Sequence, residues 1–217
     1  MVNEIVQSIV AHNARFVAEH GVAYFKPHMA AQHPQITLVS CCDSRVQPQV
    51  IAPDPIDWVF TVETIGNQMT SAQGSVDYGI LHLHTPVLLI MGHTDCGAIK
   101  AFMNGYEHEN DAIKHELDNL KAGLKGFVDP KAVFENALLM NIQKNVDHQV
   151  DVALERYRGL IAERSLTAIG AIYDFLNALG KGHGRVVITN INTEKDIEKI
   201  KGLAKGLDRD LCLGRVL

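Results

Sequence analysis

The chain has no apolar run approaching the roughly 20 residues that a membrane-spanning helix needs. At its start, Met1-Val2-Asn3-Glu4, no basic stretch precedes an apolar one, so no secretory signal is read there. No Lys/Arg cluster is present, and the formal net charge is −5. Nucleic acid and anionic membranes are therefore not expected as partners. Four cysteines in 217 residues are too few for a disulfide framework, and a reducing cytoplasm is the expected location. There are no internal repeats, low-complexity tracts or clear domain boundary. The length suits a single domain with a sizeable core, divided here into an N-terminal helical arm (1–30), an α/β core (31–192) and a C-terminal helical tail (193–217).

Two of the scarce cysteines stand close to a histidine in pattern. Cys41 opens Cys41-Cys42-Asp43-Ser44-Arg45 directly after the apolar run Ile36-Thr37-Leu38-Val39. His93 and Cys96 lie in Gly92-His93-Thr94-Asp95-Cys96-Gly97, after the run from Pro86 to Met91. Two thiolates and one imidazole suit Zn²⁺, one ion per chain, and three protein ligands leave a tetrahedral position for water or substrate. A structural site would want a fourth ligand, and no Cys-x-x-Cys is present to help supply one. Cys42 and Cys212 are read as small buried apolar residues.

The apolar runs 36–40, 58–62 and 86–91 read as buried strands, with a helix over Ser71–His84 capped by Ser71 between the last two. Strand, crossover and strand in succession predict an α/β fold with a central, mostly parallel sheet flanked by helices. Ile5, Ile9, Val10, Phe16 and Val17 recur at helical spacing, so residues 3–20 form a helix that must pack on the sheet or on another subunit. A helix follows Cys96 and ends at Asn104-Gly105; 107–130 reads as exposed helical or loop material, and 134–158 as helix. Leu166–Tyr173 and Arg185–Asn190 read as strands joined near Gly180-Lys181-Gly182, and Thr193 opens a surface helix reaching Leu207. In open α/β sheets, sites form beyond the carboxyl ends of strands, which is where both ligand loops fall. Asp43 and Arg45, at i and i+2 past a strand, can form a charge-assisted pair. Arg45 would then hold Asp43 as acceptor for the proton of zinc-bound hydroxide; the other reading is a surface ion pair of about 0–1 kcal/mol.

Cys-x-Asp-Ser-Arg followed by His-x-x-Cys-Gly, each after a buried strand, resembles the signature of the β-class carbonic anhydrases over about 30–105. The resemblance implies a lyase for the reversible hydration of CO₂ to bicarbonate and a proton. It implies catalytic roles for Asp43 and Arg45, and a backbone contact from Gly97 to substrate. In that family the Asp can also move onto zinc as a fourth ligand when its Arg is released. Gln32, Phe60 and Tyr78 match substrate-pocket positions of the plant-like branch, where pockets lie at a dimer interface. A homodimer or dimer-based oligomer is therefore expected, with these groups serving the neighbouring zinc and the N-terminal arm packing on the partner. Two departures stand out. Glu63 replaces a family Arg, and Leu38 stands where many bacterial members have a Trp that joins that Arg in an inhibitory bicarbonate site. No such regulatory site is expected. Among the remaining histidines, His33 beside Gln32 is a candidate proton relay, whereas His82 and His84 lie on different faces of a helix and make a poor metal pair. The alternatives are COS or CS₂ hydrolysis on the same zinc, and a zinc-binding protein without turnover in which Cys42 offers an oxidisable thiol.

Overall fold

The computed structural model describes residues 2–124, 134–203 and 213–216. The chain falls into two compact units, Met1–His33 and Pro34–Leu217. The first holds α1 (Val2–Glu19), α2 (Val22–Phe25) and a 3₁₀ turn at Lys26–His28. Apolar spacing makes α1 amphipathic, yet none of its residues is buried. Its end is tied to α2 by aromatic rings: Phe16 stacks on His20 at 4.2 Å and meets Tyr24 edge-on at 6.2 Å.

The second unit is built on β1 (Ile36–Cys41), β2 (Val59–Thr64), β3 (Val87–His93), β4 (Thr167–Asp174) and β5 (Arg185–Ile191). These form one sheet in the order β2-β1-β3-β4-β5, parallel except for β5, which runs antiparallel to β4. Central β1 and β3 are buried from their second residue on, which is why they read as unbroken apolar runs. From β1 the chain goes outward to β2, then crosses back to β3 on the other side of β1. The winding direction thus reverses between β1 and β3, and a crevice opens at their carboxyl ends.

Within the crossover from β2 to β3 lie a 3₁₀ turn (Thr70–Ala72), α3 (Gln73–Asp77) and a π turn (Tyr78–His82), not one helix over Ser71–His84. Ser71 lies inside the 3₁₀ turn and no side chain caps α3. The segment is drawn against β1: a Cβ at Gly79 would lie 2.2 Å from Thr37 Oγ1, so only glycine fits that approach. Next come α4 (Gly97–Asn104), α5 (Asp111–Asp118), α6 (Lys121–Leu124), α7 (Phe134–Arg156) and α8 (Arg158–Ala162), then β4; α9 (Ile197–Leu203) follows β5. The left-handed Gly105 (φ 92) stops α4.

Two sequence expectations need correcting here for local reasons. Residues 107–124 are helix and turn, largely exposed or half-buried, as expected, but Leu117, Leu120 and Leu124 pack at helical spacing into a cluster with Leu138, Ile142 and Val146 of α7. The helix after β5 is not capped by Thr193, which has φ 66; Asp196 Oδ1 takes the cap by accepting from the N–H groups of Glu198 (2.9 Å) and Lys199 (3.3 Å). The expected extension to Leu207, Cys212 and residues 125–130 lie outside the described residues. Helix α7 lies flat on β3 and β4. Gly92 makes this possible, since a Cβ there would meet Val146 Cγ2 at 2.7 Å. The opposite face of the sheet carries Leu38, Val46, Leu89, Met91 and Ala171, fringed by half-buried Ile36, Val59, Ile169, Val186 and Ile188.

Candidate metal centre

Cys41 is the last residue of β1, His93 the last of β3, and Cys96 stands immediately before α4. Because β1 and β3 are neighbours, their ends bring the three side chains together. Cys41 Sγ, Cys96 Sγ and a His93 ring nitrogen lie within 4.8 Å of one another, and all three residues are buried. The ring is oriented by its own loop: Nδ1 donates to the carbonyl of Thr94 at 2.9 Å, which leaves Nε2 with its lone pair bare. Nε2 is buried without a hydrogen-bond partner, a cost that a metal bond would remove.

The two cysteines act on each other, and their thiols shift in opposite directions. A hydrogen bond from Cys96, opposed by burial, pulls the Cys41 pKa well down, with the His93 ring and the Gly66 amide adding to the effect. The Cys96 pKa is pushed up by the hydrogen bond to Cys41 and then by burial, while the amides of Ile99 and Ala98 act the other way. A soft divalent cation would take the place of the thiol protons. Two sulfurs and one bare imidazole nitrogen in a buried pocket fit zinc, and among the described residues no fourth metal-ligating side chain joins the cluster.

Asp43 stands just outside this cluster, with Oδ2 3.9 Å from His93 Nε2. Arg45 grips it as a fork, Nε donating to Oδ1 at 2.9 Å and Nη2 to Oδ2 at 2.7 Å, and the Arg45 backbone N–H adds 3.0 Å to Oδ1. This hydrogen-bonding holds the Asp43 carboxyl far below the usual carboxylate range, and raises the Arg45 guanidinium in return. Arg45 also donates through Nη1 to Asp95 Oδ2 at 3.0 Å, and its guanidinium lies 4.8 Å from the centre of the Phe175 ring. Phe175 stacks in turn on His93 at 6.0 Å.

Behind Cys41 lies a second network, made of amides. The Gly66 amide that faces Cys41 belongs to a turn held by α7. Asn145 Nδ2 donates to Gly66 O at 2.8 Å and to Asn67 Oδ1 at 3.3 Å; Gln149 Nε2 donates to Asn145 Oδ1 at 3.3 Å and its Oε1 accepts from Met69 N at 2.9 Å. The turn needs this support because Gly66 (φ 75) and Asn67 (φ 49) are both left-handed.

The structure thus gathers Cys41, His93, Cys96, Asp43 and Arg45 at one end of the sheet, with Gly97 beginning α4 beside them. Phe60 and Tyr78 lie elsewhere. Their rings are 5.9 Å apart, and Phe60 pairs with Thr37, four residues before the Cys41–Thr64 pair, or roughly 13 Å along the strand. Gln32 and His33 belong to the first unit, where both are exposed. Leu38 is fully buried and Glu63 is exposed on β2. Cys42 is exposed, not buried, because β1 ends at Cys41 and Cys42 begins the loop. Sequence reading missed Asp95, Lys100, Phe175, Asn145 and Gln149. The last two carried a signal, since amides recur through α7 at Asn141, Gln143, Asn145 and Gln149, all of them buried.

Comparison with known proteins agrees with this arrangement. The carbonic anhydrase family model matches residues 36–180, a span that includes every residue of the cluster. Carbonic anhydrase 2 of Mycobacterium tuberculosis is 26% identical over 178 residues, covering 74% of this chain and 83% of that protein. β-Carbonic anhydrase 5 of Arabidopsis thaliana is 26% identical over 175 residues, covering 71% and 56%. In fold, a tetrameric β-carbonic anhydrase of Sordaria macrospora superimposes with a TM-score of 0.71 at 22% identity, over 86% of this chain and 96% of that one. With the ligand cluster, the sheet order and the family match in agreement, the chain belongs to the carbonic anhydrase family, as a zinc enzyme of its β class.

Proposed function

We propose that this enzyme hydrates CO₂ reversibly to bicarbonate and a proton at the Cys41–His93–Cys96 centre, with Asp43 and Arg45 orienting the nucleophile. The observation that carries the reading is the position of Asp43: forked onto Arg45, with Oδ2 3.9 Å from the bare Nε2 of His93. Zinc held by the two sulfurs and that nitrogen supplies Lewis acidity, which brings the ionisation of water toward neutral pH. Asp43, kept ionised by Arg45, can only accept at Oδ2. It therefore takes a hydrogen bond from the attacking oxygen and turns a lone pair of that oxygen toward the carbon of CO₂. Gly97, at the first turn of α4, offers a backbone N–H to the substrate oxygen.

Stopped-flow CO₂ hydration on zinc-replete protein, scanned from about pH 6.5 to 9, tests this directly. Turnover should rise with pH, and Asp43→Asn should keep its zinc while losing about 10²-fold in rate. No CO₂ turnover with zinc fully bound would overturn the reading, and hydrolysis of COS or CS₂ by the same sample would replace it.

The pocket is completed, in this reading, by a second copy of the chain. Tyr78 is 44% exposed beside Phe60, α1 presents exposed Ile5, Ile9 and Val17, and one face of the sheet is fringed by half-buried aliphatics. Gln32, Phe60 and Tyr78 would then reach the partner's zinc. Light scattering on active protein should give at least a dimer; a fully active monomer would remove this part. Thiols reserved for metal suit a reducing compartment such as the cytoplasm.

A further inference from the structure

Arg45 is more firmly held than its pairing with Asp43 requires. Its side chain is 46% exposed, and an exposed arginine in a single ion pair gains little and samples many rotamers. Here the guanidinium makes four side-chain hydrogen bonds to two residues. Nε and Nη2 go to Asp43; Nη1 goes to Asp95 Oδ2 at 3.0 Å and Nη2 also to the Asp95 carbonyl at 3.3 Å. Its flat face rests 4.8 Å from the Phe175 ring centre. Asp95 in turn is fixed on its other oxygen, Oδ1, by an ion pair with Lys100 of α4. Its backbone is left-handed (φ 64), a conformation that Asn and Asp adopt more readily than other side-chain-bearing residues.

That backbone gives Asp95 an ordinary explanation, the need for an Asx residue at a tight loop between two metal ligands. The backbone alone does not call for a charge, for a fork onto Arg45, or for a lysine to hold the second oxygen. We propose that Asp95, fixed by Lys100, is a positioning residue that anchors Arg45 and thereby holds Asp43 beside the metal centre. The anchor works through the Nη1–Nη2 edge of the guanidinium: with Nη1 tied to Asp95, Arg45 cannot swing into solvent, and both of its bonds to the Asp43 carboxylate stay in register. The inference rests on the reading of Asp43 and Arg45 as the orienting pair.

Asp95→Asn separates the two explanations, because asparagine keeps the left-handed backbone and the side-chain shape but removes the charge. The first readout is the Arg45 Nε–H signal in ¹⁵N spectra of the zinc-loaded protein and its rate of exchange with solvent. That exchange should quicken about tenfold in Asp95→Asn, since a charge-assisted bond is lost, and more modestly in Lys100→Met, which leaves Asp95 in place. Metal analysis should show full zinc in both. The second readout is a cycle with Arg45→Gln: Asp95→Asn should lower kcat several-fold in the parent, and not further when Arg45 is already gone. Unchanged Arg45 exchange in both variants overturns the proposal. So does an Asp95→Asn loss of equal size with and without Arg45, which would make its role independent of Arg45. Should Asp95→Asn fail to fold, Lys100→Met carries both readouts. Arg45→Gln at full activity would instead overturn the underlying orienting-pair reading, which keeps the two failures apart.

Discussion

Cys41 and Asp43 are two residues apart and are held by opposite means. Cys41 is backed by neutral amides: Asn145 and Gln149 of α7 hold the Gly66–Met69 turn, and Asn145 and Gln149 are buried. Asp43 is backed by charges: Arg45, Asp95 and Lys100 form a chain of ion pairs whose side chains are all at least 30% exposed. The division follows from solvation. Burying full charges costs several kcal/mol per ion, whereas amides satisfied by hydrogen bonds are tolerated inside. At the mouth, water and salt weaken each ion pair, so a fork, a second carboxylate and an aromatic face are combined where one contact would leave Arg45 mobile. Neutral support builds the metal ligand into the fold, and charged support sets the group beside it.

Breaking the buried half should have the larger structural effect. Asn145→Leu is close in size but removes the donor to Gly66 O and the acceptor of Gln149, leaving buried groups unpaired. A loss of about 2 kcal/mol in denaturant unfolding is expected, with zinc affinity down roughly tenfold because the Gly66 amide is no longer held toward Cys41. Both losses should be the same in low and high salt. The Asp95→Asn effect should shrink as salt rises, because an exposed pair is screened. If the Asn145→Leu defect were salt-dependent, or the Asp95→Asn defect were not, the contrast between the two supports would be wrong.

The same contrast explains what sequence could and could not deliver. Cys41, His93 and Cys96 were legible because each stands at or just beyond the end of a buried parallel strand, and parallel strands announce themselves as apolar runs. The sheet and its direction were legible for the same reason. The Asp43–Arg45 fork could be read from local spacing, since i and i+2 past a strand are close in any fold. Asp95 meeting Arg45 depends instead on the β1–β3 pairing, which brings residues fifty apart in sequence to one place. Asn145 reaching Gly66, seventy-nine residues away, depends on α7 lying on β3, which in turn needs Gly92 without a side chain. The crossover from β2 to β3 was misread as one helix because the 3.6-residue period reveals neither a π turn nor the close approach of Gly79 to Thr37. Leu117, Leu120 and Leu124 were overlooked because charged neighbours masked their helical spacing.

A third ion pair calibrates how much a charged support contributes to stability alone. Far along the sequence from the metal motifs, Arg156 at the end of α7 forks onto Asp77 of α3, with Nε to Oδ1 at 2.7 Å and Nη2 to Oδ2, and Tyr157 adds a hydroxyl donor at 2.8 Å. Hydrogen-bonding from Arg156 first, and then from Tyr157, lowers the Asp77 pKa against a burial effect of the opposite sign. A carboxyl whose folded pKa is depressed stabilises the fold above its unfolded pKa, about 3.9, and loses that contribution as pH falls through the lower folded value. Arg156→Ala should therefore lower Tm by only about 2 °C at neutral pH, as expected for an exposed fork. The difference from the parent should close below the folded pKa of Asp77, where its carboxyl is protonated in both states. A deficit that persisted there would come from lost packing of the Arg156 stem, not from charge. A large neutral-pH deficit would mean that a surface fork can stabilise as strongly as the buried amides do, and the distinction drawn between Cys41 and Asp43 would lose its physical basis.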